Sequence, residues 1–154
     1  MEGDNVAHSE LTNTVKGMLR EAGLKGLVSA DGAILLGFSD VLIQVYGVMD
    51  DHAVMVRSIV ATGLTPDADL YEFLNTENAR ITFGKLVYYP DDRRVYFEFP
   101  LLADTLDNQE LLNAVSLVQH STDDYNDNVA RSWNGEKVTF DNLDLSAAAS
   151  AERL

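Results

Sequence analysis

An α+β domain with one antiparallel sheet, in the order α-β-β-β-α-β-β-α, is the fold class that the sequence predicts. Three observations carry it. Helical apolar spacing occurs in three separate stretches, starting near Ser9, Thr65 and Asp107. Between the first two lie three short apolar runs with only Ser39-Asp40 and Asp50-Asp51 between them, which is the pattern of an antiparallel meander. Between the last two lie a further pair of runs joined by Pro90-Asp91-Asp92-Arg93. Blocks of strands set between helices, without βαβ alternation, indicate segregated helices on an antiparallel sheet.

The elements follow in order. Residues 1–8 are polar and expected to be disordered. From Ser9, an N-cap, Leu11, Val15, Met18, Leu19 and Ala22 form one helical stripe, and Gly23 or Gly26 stops it. The meander comprises 33–38, 41–49 and 53–60. With two-residue turns, Phe38 faces Val41, Leu36 faces Ile43 and Ile34 faces Val45, while Val45 faces Val56, Ile43 faces Ser58 and Val41 faces Val60. One face is then aliphatic: Ile34, Leu36, Phe38, Val41, Ile43, Val45, Val54, Val56 and Val60. The other is mixed, with Leu35, Leu42, Gln44, Tyr46, Met55, Arg57 and Ile59, and is too apolar to stay wholly wet. A second helix is expected with Thr65 as N-cap and Pro66 at its first position, burying Leu70, Phe73 and Leu74. Strands 81–89 and 94–99 pair Lys85 with Glu98 and share a core face of Leu86, Tyr88, Val95, Phe97 and Phe99. Ile81, Phe83 and Val87 fall on the opposite face. Asp107 opens the longest helix, with Leu111, Val115, Val118, Thr122, Tyr125 and Val129 on its stripe and Gly135 at its end. Residues 9–135 therefore form the expected domain and 136–154 an Ala-Ser-rich tail.

Composition narrows the function. The 154 residues are 46% hydrophobic and 23% charged, as in a globular domain. The formal charge of −14 opposes nucleic-acid backbones and anionic membranes, so neither is an expected partner. No apolar run approaches the ~20 residues of a membrane helix, and the first residues do not read as a signal peptide. With no cysteine there is no disulfide frame, thiolate site or Cys nucleophile, which fits a cytoplasmic protein.

Motifs that would carry chemistry fail on inspection. Gly32 and Gly37 have phosphate-loop spacing, but Phe38-Ser39 stands where Lys-Ser/Thr is required. His8, His52 and His120 lie far apart in sequence and none has a second His at metal spacing. Asp124, Asn126 and Asn128 imitate a calcium loop, yet Val129 and Gly135 occupy the positions of its Gly and Glu. The helical stripe runs through this segment, so Asp123, Asp124 and Asp127 read as a solvated face. Trp133 and Tyr88-Tyr89 read as core or interface, and Arg57, Arg93 and Arg94 as surface ion-pair partners. No catalytic residue, cofactor or metal site is expected.

Leu74-Asn75-Thr76-Glu77-Asn78, then Phe83-Gly84-Lys85-Leu86, then the strand 95–99, Pro100-Leu101-Leu102, Leu106 and the helix with Leu111, Val115, Val118 and Asp124 resemble, in that order, the pattern of the YbjN family. The resemblance spans roughly residues 11–133. It implies the type III secretion chaperone-like fold, a regulatory role of the kind called sensory transduction regulator, no established enzymatic activity and, in the wider fold, dimers that bind other polypeptides without ATP. The expected function is thus a non-enzymatic protein-binding module, a chaperone-like or regulatory adaptor. A ligand-sensing domain and an enzyme with an unrecognised site are the alternatives. The expected partner is another protein, with a homodimer formed around 70–89, and the expected partner or dimer surface comprises Leu35, Leu42, Tyr46, Met55, Ile59, Ile81, Phe83 and Val87.

Overall fold

The structure, a computed structural model, describes residues 8–139 and 152–154. The expected disordered segment 1–8 lies outside the described residues except for His8, as does 140–151 of the expected tail.

Helix α1 spans Glu10–Glu21. The Ser9 hydroxyl accepts from the Thr12 amide at 3.1 Å, and Val15 and Leu19 are buried. Gly23, at φ +78°, ends it, a conformation open to glycine at no steric cost. A three-residue strand absent from the sequence expectation follows, β1 (Gly26–Val28), too short to show alternation. The meander is β2 (Ile34–Phe38), β3 (Val41–Val48) and β4 (Ala53–Ala61). Its register is the expected one for the pairs Phe38 with Val41, Leu36 with Ile43, Ile34 with Val45, Val45 with Val56 and Ile43 with Ser58. The second turn is wider than expected, with Met49, Asp50 and Asp51 all at positive φ. It is centred on the same point as a two-residue loop, so the faces do not flip.

Helix α2 (Ala68–Arg80) starts later than expected. Asp67, not Thr65, is the N-cap, its Oδ1 accepting from the Leu70 amide at 2.8 Å. Pro66 therefore precedes the cap rather than opening the helix. The helix also runs longer, to Arg80, with Ile81 as its C-cap. Strand β5 consequently begins only at Lys85 (Lys85–Tyr89). Gly84 turns the chain into it at φ +84°, and a Cβ there would stand 2.6 Å from the Phe97 ring. Ile81 and Phe83 therefore do not share a strand face with Val87, correcting the expected apolar row. Strand β6 (Arg94–Leu102) pairs with β5, Lys85 opposite Glu98 as expected, and is longer than the sequence indicated.

Helix α3 (Asn108–Ser132) is capped by Asp107, whose Oδ1 accepts from the Glu110 amide. Leu111, Val115, Val118, Thr122 and Val129 are buried along it, with Asn126 buried beside the half-buried Tyr125. Beyond α3, Glu136 bridges to Thr62 and Val138 is buried. Glu152–Arg153 forms a last strand, β7, on β1. The sheet is antiparallel throughout, in the order β5-β6-β4-β3-β2-β1-β7.

The main core lies on one face of this sheet. Val15 and Leu19 of α1, Leu70 and Leu74 of α2, and the α3 stripe pack onto Ile34, Leu36, Ile43, Val45, Val56 and Phe97. α3 crosses β3, β4 and β6, while α2 sits on β5. A bulge between Ile59 and Ala61 lets both Val60 and Ala61 face this core. No described helix covers the opposite face. There Leu35, Leu42, Ile59 and Tyr96 form a second cluster under Val138, with Tyr89 against it.

Candidate functional site

The helix-free face is built by register. Gln44 pairs with Arg57, Arg57 with Glu98, and Glu98 with Lys85, so one polar row crosses β3, β4, β6 and β5. Flanking it are Tyr46 beside Met55 on one side and Ile59, Tyr96 and Val87 on the other. The Arg57 guanidinium lies 4.1 Å from the Tyr96 ring centre, 5.1 Å from that of Tyr46 and 6.0 Å from that of Tyr89. Its Nε donates to Gln44 Oε1 at 2.8 Å, and its Nη1 stands 3.7 Å from Glu98 Oε1. The Tyr89 phenol donates to the same carboxylate at 2.5 Å. Glu98 is only 3% exposed, so its partners must replace the water it has lost. Burial, reinforced by the Glu98 bond, pushes the Tyr89 phenol up to about 12, and burial also raises Tyr46. The result is a cation held against aromatic rings on the sheet face that no described helix covers.

The expected surface residues separate into three groups. Tyr46, Met55 and Val87 lie half-buried around this centre. Leu35, Leu42 and Ile59 share the face, as expected, but are packed beneath Val138 and Tyr96 and offer little surface. The cover comes from the chain beyond α3, a segment whose sparse apolar content gave no sign of packing. Ile81 is half-buried against the main core, while Phe83 is 61% exposed at another site. That site is a cleft of about 510 Å³ between β6 and α3, lined by Phe83, Phe99, Pro100, Leu102 and Leu117. Leu102 at its rim is 70% exposed. Tyr71, 52% exposed on α2, packs edge-on against Tyr88 nearby on β5.

Sequence reasoning missed Tyr89 and Leu102 as partly or fully exposed residues, and the buried Tyr96 and Glu98 that hold Arg57. Tyr96 faces Ile59 because β6 inserts beside β4, a pairing between strands distant in sequence. Arg57, Arg93 and Arg94 are not simple surface ion-pair partners. Arg57 is caged, Arg93 Nε donates to the Leu64 carbonyl and Arg94 Nε to the Thr62 hydroxyl. Trp133 is core, its indole N–H donating to Asp67 at 2.9 Å. Lys85, although paired with Glu98 in register, is exposed, and Glu98 turns instead to Arg57 and Tyr89. Among the described residues no group of three or more acidic or histidine side chains is placed to hold a metal ion. Asp123, Asp124 and Asp127 are exposed, and Asp127 meets Lys137 at 2.9 Å. No described helix is long and apolar enough to cross a membrane.

A family model described as type III secretion system (YopN, CesT) and YbjN peptide-binding chaperone 1 matches residues 9–141. The chain belongs to this family of peptide-binding chaperones. The family's fold is the one seen here. A chain of the ExsC–ExsE complex superposes with a TM-score of 0.61 at 10% identity, covering 79% of this chain and 97% of that one. A chain from the complex of the Yersinia pestis type III secretion chaperone SycH with a fragment of YscM2 gives 0.56 at 11%, covering 75% and 98%. YbjN from E. coli gives 0.55 at 15%, covering 83% and 95%. No curated protein matches the sequence.

Proposed function

We propose that this chain is a non-enzymatic polypeptide-binding module, a chaperone-like or regulatory adaptor that takes a partner chain on the helix-free face of its sheet. The observation that carries this reading is the face itself. Tyr46, Met55, Val87 and Tyr89 remain partly open around the caged Arg57, with no described helix above them. Rigid tyrosines supply contact area at small entropic cost, and a held Arg gives directional hydrogen bonding. Membership of a peptide-binding family supports the same reading. Solved structures of this fold include the ExsC–ExsE complex and the type III secretion chaperone SycH in complex with a fragment of YscM2. The charge of −14 favours a partner segment with net positive charge.

A homodimer is the second part of the proposal. Its contact surface is the α2–β5 region, where Tyr71 and Phe83 are exposed and the apolar cleft opens beside Phe83. A stable pair there buries about 1,200–2,000 Å² in total.

A photo-crosslinking amino acid placed singly at Met55, Val87 and Asp123 tests the partner face in the native cell. Met55 and Val87 are expected to capture the same polypeptide. Asp123, exposed on α3 away from the sheet, is expected not to capture it. Capture at all three sites alike, or only at Asp123, overturns the assignment.

A further inference from the structure

The pairing of β3 is uneven along its length. β2 reaches only to Ile34 opposite Val45, whereas β4 stays paired with β3 as far as Val48. Tyr46, Gly47 and Val48 therefore have a strand on one side only. A cavity of about 440 Å³ opens beside them, walled by the turn 29–33 and the start of α1. Its carboxylate and guanidinium groups are Asp31, Asp51 and Arg57. The Arg57 Nε–H is taken up by Gln44, and Nη1 stands 3.7 Å from Glu98, too far for a hydrogen bond. The Nη donors of Arg57 thus have no hydrogen-bond acceptor among the described residues. The Ser29 hydroxyl and the Ala33 amide donate to Asp31 Oδ1, and these bonds hold the carboxyl below its usual range. Asp51 folds back over Gly47, where any Cβ would collide with its Oδ1. Neither aspartate forms an ion pair with a described residue.

We infer that this cavity binds a free basic amino acid of the lysine or arginine type, its carboxylate on the Arg57 Nη donors, its side-chain cation on Asp51 and its α-ammonium on Asp31. The charges match in number: one guanidinium against one carboxylate, and two aspartates against two cations. The spacing matches in kind. Arg57 pairs with Gln44, and Asp51 lies over Gly47, three residues along β3, so the two ends are roughly 10 Å apart. That separation suits charges at opposite ends of a long side chain, not charges on one carbon. The aliphatic stem between them lies along Tyr46, which is half-buried on the cavity wall. The net charge of −14 draws a cationic ligand and repels simple anions that would compete for Arg57. Tyr46 and Arg57 border both this cavity and the proposed partner face, but the site goes beyond the polypeptide-binding reading and does not depend on it.

The test removes the charges one at a time from the ligand, which leaves the protein intact. L-Lysine, titrated into the millimolar range against the full-length chain, is expected to give saturable NMR shifts of the Gly32 and Gly47 amides, both on the cavity wall. Cadaverine lacks the carboxylate, norleucine the side-chain cation and ε-aminocaproate the α-ammonium. Each is expected to bind about tenfold more weakly than lysine, the loss of one charge-assisted hydrogen bond. Nα-acetyl-L-lysine amide presents lysine as a polypeptide would, and is expected to bind no better than cadaverine. Asp51→Asn alters an exposed carboxylate that pairs with no described residue, so it is expected to weaken lysine about tenfold at an unchanged melting temperature. Absence of a saturable shift with lysine, binding of any analogue as tight as that of lysine, or undiminished lysine affinity in Asp51→Asn overturns the inference. Tight binding of the blocked lysine in particular would assign the cavity to a partner chain instead of a free amino acid.

Discussion

Asn78 concentrates two hydrogen bonds on one backbone residue, Leu86, and so fixes α2 to the outer strand. Asn78→Ala leaves a donor and an acceptor of that strand without their partner and is expected to cost about 1–3 kcal/mol, measured as a lower urea midpoint at unchanged m. Thr122 is the opposite case. Its hydroxyl is buried against the sheet with no hydrogen-bond partner among the described residues, as is that of Ser58. Thr122→Val keeps the shape and removes the hydroxyl, so the expected change is a gain of about 1 kcal/mol in the same measurement. Tyr89 and Tyr125 supply a pH signature. Burial first, then the bonds to Glu98 and Glu77, raises both phenols to about 12. A group that holds its proton more firmly when folded contributes stability below its unfolded pKa, near 10, and loses that contribution as pH climbs toward 12. Ultraviolet titration is expected to show these two phenolates forming last or only with unfolding, and Glu98→Gln to bring Tyr89 forward. Simultaneous titration of all the tyrosines near pH 10 would contradict this.

Between elements, Asp67 ties two helix ends together. One oxygen, Oδ1, caps α2 through the Leu70 amide and accepts the Trp133 indole N–H from the end of α3. Asp67→Ala is expected to cost about 2 kcal/mol, the loss of an N-cap plus a buried partner, and to lower the melting temperature. Asp67→Asn keeps an acceptor and is expected to recover most of it. Helix caps were legible in the sequence where one residue offered itself, as Ser9 and Asp107 do. At α2 the sequence pointed to Thr65, whereas the cap is Asp67, whose Oδ1 also accepts from Trp133, 66 positions away in sequence. The same long reach explains β5. Helical residues up to Arg80 and the Gly84 turn displaced its start, so Ile81 and Phe83 left the strand and Phe83 came to line the cleft instead.

For the whole molecule, charge sets the association behaviour. Fourteen net negative charges on each chain oppose pairing, while the exposed Phe83, Tyr71 and Leu102 favour it. Screening shortens the repulsion to about 8 Å at 0.15 M salt and about 3 Å at 1 M. The proposed dimer is expected to tighten with added salt, and sedimentation velocity across that range measures it. Phe83→Asp is expected to yield a monomer at every salt concentration, because it removes apolar area and adds charge at one point.

The sequence by itself determined the order of the three helices and the five longer strands, the register of the meander and the composition of the meander's two faces. These depend on periodicity and turn position, which are local, and the aliphatic face of β2, β3 and β4 has one register that buries it. The family resemblance rested on the same kind of signal, the order of local motifs. Only the tertiary structure decided which face the described helices leave uncovered. That depended on α1, α2 and α3 all choosing the aliphatic side, on β6 inserting beside β4 to bring Tyr96 and Glu98 to Arg57, and on Val138 covering Leu35, Leu42 and Ile59. β1 and β7 were equally invisible, since strands of three and two residues carry no period and exist only through the neighbours they pair with. Pairings between distant segments are fixed by the area they bury together, and no window of sequence contains both partners.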